Sequence, residues 1–158
     1  MDTAYRYRVV AWWSSGRTGL AKSGSAPNAI HFTAPPEFGG LEGRWTPEDL
    51  LLCALASCYT TTFRAIAEHS NLEYSDLGVE VDGTVRKADS GYVLTDITLR
   101  PDLTISDAAD QDRALRLLHK AKASCLVSRA LSTIQTFEPR VQTSEVREEM
   151  SPAVPDSL

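Results

Sequence analysis

Cysteine, histidine and basic residues are all scarce in this sequence. Its 158 residues include three cysteines and three histidines, and 16 lysines and arginines stand against 21 acidic residues, for a formal net charge of −5. Three cysteines are too few for a disulfide scaffold. An acidic chain without a basic run also lacks the footprint that nucleic-acid phosphates require. We therefore expect reduced thiols and no nucleic-acid partner.

Export and membrane signals are missing as well. No apolar stretch is expected to reach the ~18–20 residues of a membrane span. The opening residues, Met-Asp-Thr-Ala-Tyr-Arg, show neither the basic nor the apolar segment of a secretory leader. The sequence therefore predicts a cytoplasmic protein with no membrane partner.

The spacing of potential metal ligands does not favour a metal site. Cys53 and Cys58 are five residues apart, and the only histidine near Cys125 is His119, so none of the common zinc patterns is present. The histidines lie far apart in sequence, and we expect each of them on the surface. No bound metal or cofactor is predicted.

The composition that remains is that of an ordinary globular domain, with 42% hydrophobic and 23% charged residues. We expect a single domain over residues 1–147. The last eleven residues, 148–158, contain two prolines and are expected to form a disordered tail.

Hydrophobic periodicity predicts a mixture of strands and helices. Alternating apolar and polar residues, bounded by turn residues, predict strands over residues 5–13, 29–32, 77–87, 91–105 and 134–146. Glycine and serine at residues 14–19 predict a hairpin turn, and Ser106-Asp107 is a typical start for a helix. A further short helix is expected over residues 125–132. Strands before, between and after helices, without regular βαβ alternation, indicate an α+β domain.

The strongest helix signal begins at Thr46-Pro47-Glu48-Asp49. Threonine is a good N-cap, proline is favoured at the first helical position, and acidic residues suit the positive end of the helix dipole. Residues 50–67 contain no glycine or proline and a single charged residue, Arg64. A helix that is apolar on every side is expected to be buried.

Two of the cysteines lie within this helix, and their residue type alone favours a structural role. Free cysteine is among the most buried residue types, so Cys53 and Cys58 are first expected to be small core residues. A reactive Cys58 would need a nearby cation, because apolar surroundings raise a thiol pKa. Arg17, in a glycine-flanked turn, and Arg44, just before the helix, are the candidates.

The third cysteine, Cys125, follows the small-residue run Lys120-Ala121-Lys122-Ala123-Ser124 and begins a predicted helix. Helix N-termini stabilise thiolates. Cys125 is therefore either a second reactive thiol or a residue that fills the junction between two helices.

Both cysteine segments resemble those of the OsmC/Ohr family, the osmotically inducible protein C and organic hydroperoxide resistance proteins. Residues 46–58 are similar to the family's segment of Asn/Thr-Pro-Glu, an apolar helix and Ala-Ala/Ser-Cys, and residues 120–125 to its second-cysteine motif. Leu126 stands where the Ohr branch has proline, and Cys53 is an additional thiol. Both departures favour the OsmC or OsmC-like branch.

The resemblance implies specific roles for individual residues. Cys58 matches the peroxidatic cysteine and Cys125 the resolving cysteine. Glu48 matches a carboxylate that holds an arginine over the thiolate, and Arg17 matches that arginine, with Arg44 as a competitor. The implied fold is an antiparallel β-sheet wrapped around a long buried central helix, in an intertwined homodimer.

The implied function is a thiol-dependent peroxidase of stress defence. It would reduce organic hydroperoxides, and hydrogen peroxide as a second substrate, and an external dithiol, lipoyl-type or other, on a reductant protein would reduce the enzyme. Trp12, Trp13, Phe38 and Tyr59 could line an apolar peroxide pocket or pack in the core. The alternative is a divergent OsmC-like protein that binds a small apolar ligand or partner without turnover.

Overall fold

The structure is a computed structural model that describes residues 3–144. The chain divides into two compact units, residues 1–51 and 52–158, and the boundary falls within one continuous helix. The single-domain organisation stays a prediction, and the predicted tail, residues 148–158, lies outside the described residues.

The first unit contains a three-stranded antiparallel sheet in the order β1 (Val9–Ser15), β2 (Thr18–Ser23) and β3 (Ile30–Phe32). The predicted hairpin is confirmed, with Gly16 in the left-handed conformation that its turn requires (φ 54°). The first strand begins at Val9, four residues later than expected. After β3, Pro36–Phe38 form one 3₁₀ turn.

Helix α1 (Pro47–His69) begins where the sequence predicts. At its start, the Asp49 amide donates to Thr46 Oγ1 (3.1 Å), and the Thr46 amide donates to Asp49 Oδ2 (2.9 Å), which is a reciprocal capping box. At its end, Asn71 takes a positive φ of 51° and the Leu72 amide donates to the Ala67 carbonyl (2.9 Å). This arrangement satisfies the last carbonyl groups of the helix.

The second unit is built around a mixed sheet. Strands β4 (Tyr74–Ala88) and β5 (Gly91–Ile105) form the predicted long antiparallel pair. Helices α2 (Gln111–Ser124) and α3 (Leu126–Ala130) then connect β5 to two short strands, β6 (Ile134–Phe137) and β7 (Arg140–Thr143). Asp107 caps a 3₁₀ turn, Ala108–Asp110, that precedes α2, and its Oδ1 accepts from the Ala109 amide at 2.9 Å.

The end of the sheet differs from the sequence prediction in two ways. The single strand expected over residues 134–146 is two strands, and both pair with β5 in parallel, whereas an antiparallel sheet was predicted. The register is the same on both sides of the break, since Leu99 pairs with Phe137 and Asp102 with Arg140. Pro139 has no amide to donate, which explains the interruption. Residues 145 and 146 lie outside the described residues.

The core of the second unit contains one face of α1, which packs with β5 and α2. Four α1 side chains, Leu55, Tyr59, Phe63 and Ala67, are completely buried at four-residue intervals. The expectation of a helix buried on every side is wrong for this chain: the opposite face is exposed, and Cys53 lies on the surface, not in the core.

Helix α1 also contradicts the expectation that no apolar stretch reaches the length of a membrane span. By length and composition alone it would cross a bilayer, with a mean hydropathy of 1.4 over its most apolar window. A core helix passes the same test, and the buried face of α1 lies in the protein core.

Candidate functional site

Two thiols from distant parts of the sequence meet in the second unit. Cys58 lies in the middle of α1, and Cys125 lies at the junction where α2 ends and α3 begins. Both cysteines are free, and the Cys125 thiol donates a hydrogen bond to the Cys58 sulfur. The roles that the family resemblance implies require these two cysteines to lie close together, and the structure brings them into contact.

The start of α3 supplies further donors to the Cys58 sulfur. Burial by itself would raise the pKa of this thiol, but hydrogen bonds from the Val127 amide, the Cys125 thiol, the Thr62 hydroxyl and the Leu126 amide outweigh it and lower the pKa below its usual value. Hydrogen bonds to a thiolate favour the charged form. These hydrogen bonds therefore favour the thiolate form of Cys58.

Cys125 has the opposite tendency. Its side chain is completely buried, and burial raises the pKa of its thiol although the Ser128 amide hydrogen-bonds to the sulfur and opposes the shift. The neighbouring Cys58 sulfur raises the pKa of Cys125 further, because a negative charge on one sulfur disfavours a second. The two thiols therefore differ: the surroundings favour the ionised form of Cys58 and disfavour the ionised form of Cys125.

Two more α1 side chains border the sulfur pair. The Thr62 hydroxyl donates to the Cys58 carbonyl at 2.7 Å, so its single proton is shared between that carbonyl and the Cys58 sulfur. The Tyr59 hydroxyl donates to the Leu118 carbonyl at 3.0 Å. Burial raises the pKa of Tyr59, and a negative charge on the neighbouring Cys125 would raise it further. The Tyr59 hydroxyl therefore stays neutral.

Glu48 is on the same helix, ten residues before Cys58, and its carboxylate is incompletely paired. Its Oε2 atom is buried and has no hydrogen-bond partner. Within residues 3–144, neither Arg17 nor Arg44 forms an ion pair with it, and both arginines are exposed. The structure thus places Glu48 on α1 as predicted but does not form the predicted pair of Glu48 with an arginine inside this chain.

Several residues of the site were not singled out from the sequence. Thr62 and the amides of Leu126, Val127 and Ser128 all contact a cysteine sulfur. The helix start after Cys125 was the one signal that pointed to these amides. Of the aromatic residues expected near a pocket, Tyr59 is buried, whereas Trp12, Trp13 and Phe38 are each more than 40% exposed.

The histidines and acidic residues do not form a metal centre within the described part of the chain, residues 3–144. His31, His69 and His119 are all on the surface, as expected.

The fold and the sulfur pair together define a class: small α+β proteins in which a thiol of a long helix is paired with a thiol at a helix junction. The family model for OsmC-like proteins matches residues 40–140. The chain belongs to the OsmC-like family.

Individual relatives agree with this assignment. The uncharacterised protein YmaD of Bacillus subtilis is 33% identical over 132 residues, which is 80% of this chain and 87% of YmaD. A structure of an OsmC-like protein of unknown function from Vibrio cholerae has a TM-score of 0.77 at 18% identity, covering 86% of this chain and 99% of that one. An organic hydroperoxide resistance protein OsmC from Legionella pneumophila has a TM-score of 0.71 at 22% identity, covering 89% and 99%.

Proposed function

We propose that this protein is a cysteine-based hydroperoxide reductase in which Cys58 is the peroxidatic and Cys125 the resolving residue. The observation that carries the proposal is the direct hydrogen bond between the two sulfurs, with a lowered pKa for Cys58. Organic hydroperoxide resistance proteins among the structural neighbours support it.

In the first step, the Cys58 thiolate attacks the terminal oxygen of the hydroperoxide. The O–O bond breaks, its electron pair leaves with the alkoxide, and the alkoxide takes a proton to become the alcohol. Cys58 becomes a sulfenic acid. The amides of Leu126 and Val127, which already donate to this sulfur, are placed to stabilise its negative charge before the attack.

In the second step, the Cys125 sulfur attacks the sulfenic sulfur, the hydroxyl leaves as water with the Cys125 proton, and a disulfide forms. An external dithiol then reduces this disulfide to two thiols and is itself oxidised to a disulfide. Because Cys125 already touches Cys58, condensation should outrun further oxidation of the sulfenic acid.

The proposal includes a homodimer whose partner copy completes the site. Glu48 of one copy would lie near Cys58 of the other, with Arg17, or its competitor Arg44, as the bridging arginine. The buried Glu48 oxygen that has no partner in this chain supports such an arrangement. The exposed face of α1, with small residues such as Cys53, Ala54 and Ser57, offers a surface for such a contact. Sedimentation should give a dimer; a monomer with full peroxidase activity would contradict the shared site.

We place this enzyme in the cytoplasm. Three free thiols suit a reducing compartment, where a cellular dithiol can recycle the disulfide. Fractionation of the source cells checks the location.

The decisive measurement is steady-state reduction of cumene hydroperoxide and hydrogen peroxide with a dithiol as electron donor, compared with a monothiol. We expect sustained turnover with the dithiol. Absence of turnover with both peroxides and both reductants, in correctly folded protein, would favour a divergent family member that binds a small apolar ligand or partner.

A further inference from the structure

Ser128 is the residue through which the sulfur pair is connected to the sheet. It lies in α3, three residues after Cys125, and its side chain is 4% exposed. Its amide hydrogen-bonds to the Cys125 sulfur. Its other polar groups, the carbonyl and the hydroxyl, point to residues outside α3, so that one residue links the sulfurs to other parts of the unit.

Gln135, on β6, holds Ser128 with both ends of its amide group. Gln135 Nε2 donates to the Ser128 carbonyl at 2.8 Å, and Ser128 Oγ donates to Gln135 Oε1 at 2.6 Å. This two-point contact fixes the distance and the orientation of α3 relative to β6.

Lys122, in the last turn of α2, completes the network. Its Nζ donates to Ser128 Oγ at 2.7 Å, so the hydroxyl accepts from the lysine while it donates to Gln135. Lys122 is half-buried and forms no ion pair with a carboxylate in the part of the chain that the structure describes. Its charge is therefore directed towards α3 and not neutralised by a neighbouring acid.

We propose that Gln135 and Lys122 are positioning residues that act through Ser128 to hold the first amides of α3 against the sulfurs of Cys58 and Cys125. The proposal rests on the proposed function for its biological meaning, but its geometry does not depend on peroxide chemistry. Neither residue touches a sulfur. They act by keeping the donors of Leu126, Val127 and Ser128 in place.

The pKa of Cys58 can be measured with little interference from other titratable groups. The Cys125 thiol contacts the Cys58 sulfur directly, and the other direct contacts come from the neutral Thr62 and from backbone amides. Tyr59 is coupled to Cys125, and Lys122 is separated from the sulfurs by Ser128. A change in Cys58 ionisation after substitution of Gln135 would therefore report the position of α3.

The test is the pH dependence of Cys58 alkylation by iodoacetamide, measured by mass spectrometry on the full chain. Cys53 and Cys58 fall on one tryptic peptide between Arg44 and Arg64, so every variant also carries Cys53→Ser. Gln135→Met keeps the side-chain length and removes both hydrogen bonds. Gln142→Met on β7, also half-buried, is the matched control.

We expect Gln135→Met to lower the alkylation rate of Cys58 at neutral pH about three- to tenfold and to move the profile towards higher pH, since lost donors destabilise the thiolate. Lys122→Met, which leaves the two-point contact of Gln135 in place, should cause a smaller decrease. Gln142→Met should leave the profile unchanged.

A purely structural role gives a different result. If Gln135→Met and Lys122→Met lower the melting temperature but leave the alkylation profile where it was, the positioning proposal is wrong. Alkylation needs no peroxide turnover, so a chain inactive towards peroxides that still shows the profile shift would refute the proposed function and retain this inference.

Discussion

The two faces of helix α1 differ both in residue type and in surroundings. One face presents Leu55, Tyr59, Phe63 and Ala67, all completely buried in the core of the second unit. The other presents exposed small residues, among them Cys53, Ala54, Ser57 and Thr61. Cys58 lies beside the buried face, where it meets the start of α3.

The helix alone therefore does not decide the surroundings of its two thiols. Cys53 and Cys58 are about 1.4 turns apart on the same apolar segment, a rotation of about 140°. Cys58 has a thiol and two backbone amides as donors from outside α1, whereas Cys53 is exposed. The contacts, and not the local sequence, set the chemistry of each sulfur.

Substitution of the two α1 cysteines should have the largest and most unequal effect. Cys58→Ser is expected to abolish peroxide turnover, because a serine hydroxyl is not ionised at neutral pH and cannot replace the thiolate. Cys53→Ser is the matched control and should retain turnover. If Cys53→Ser is inactive while Cys58→Ser works normally in the peroxidase assay, the assignment of Cys58 as the peroxidatic residue is wrong.

Substitution of Cys125 should separate the two chemical steps. Cys125→Ser is expected to consume one equivalent of peroxide and then stop with a dithiol, because no resolving thiol remains to form the disulfide. Mass spectrometry after trapping the sulfenic acid checks this. Sustained dithiol-dependent turnover in Cys125→Ser would show that another thiol, such as Cys53, resolves the intermediate.

The buried face of α1 should carry a large share of the stability. Leu55→Ala removes a completely buried side chain and should lower the free energy of unfolding by about 2–5 kcal/mol. Leu115→Ala on α2, where the leucine is 38% exposed, is the same substitution with less burial and should cost less. Equal losses in denaturant titrations would contradict the packing described for α1.

The smallest effect is expected at the start of α1. Thr46→Ala removes the capping hydroxyl that accepts from the Asp49 amide and should cost about 1 kcal/mol. Thr61→Ala is the control on the exposed face, where the hydroxyl bonds only to carbonyls of its own helix. Alanine favours a helix interior, so this change should not destabilise the protein.

Local sequence signals predicted most of the elements correctly. The predicted cap Thr46 lies at the start of α1, where short-range backbone geometry decides the outcome. The alternation in residues 77–105 predicted β4 and β5, because successive side chains of a strand point to opposite faces of the sheet. Pro139 was the missed signal for the break between β6 and β7.

Residue types at fixed spacing were enough to indicate the family and the long helix, and to single out Cys58 and Cys125 as a candidate pair. The groups that surround each sulfur became known only from the three-dimensional structure. Ser128 and Gln135 are seven residues apart, and Cys58 and Cys125 are 67 positions apart. Whether such pairs meet depends on the path that the chain takes from β5 through α2 and α3 back to the sheet, and residue spacing does not determine that path.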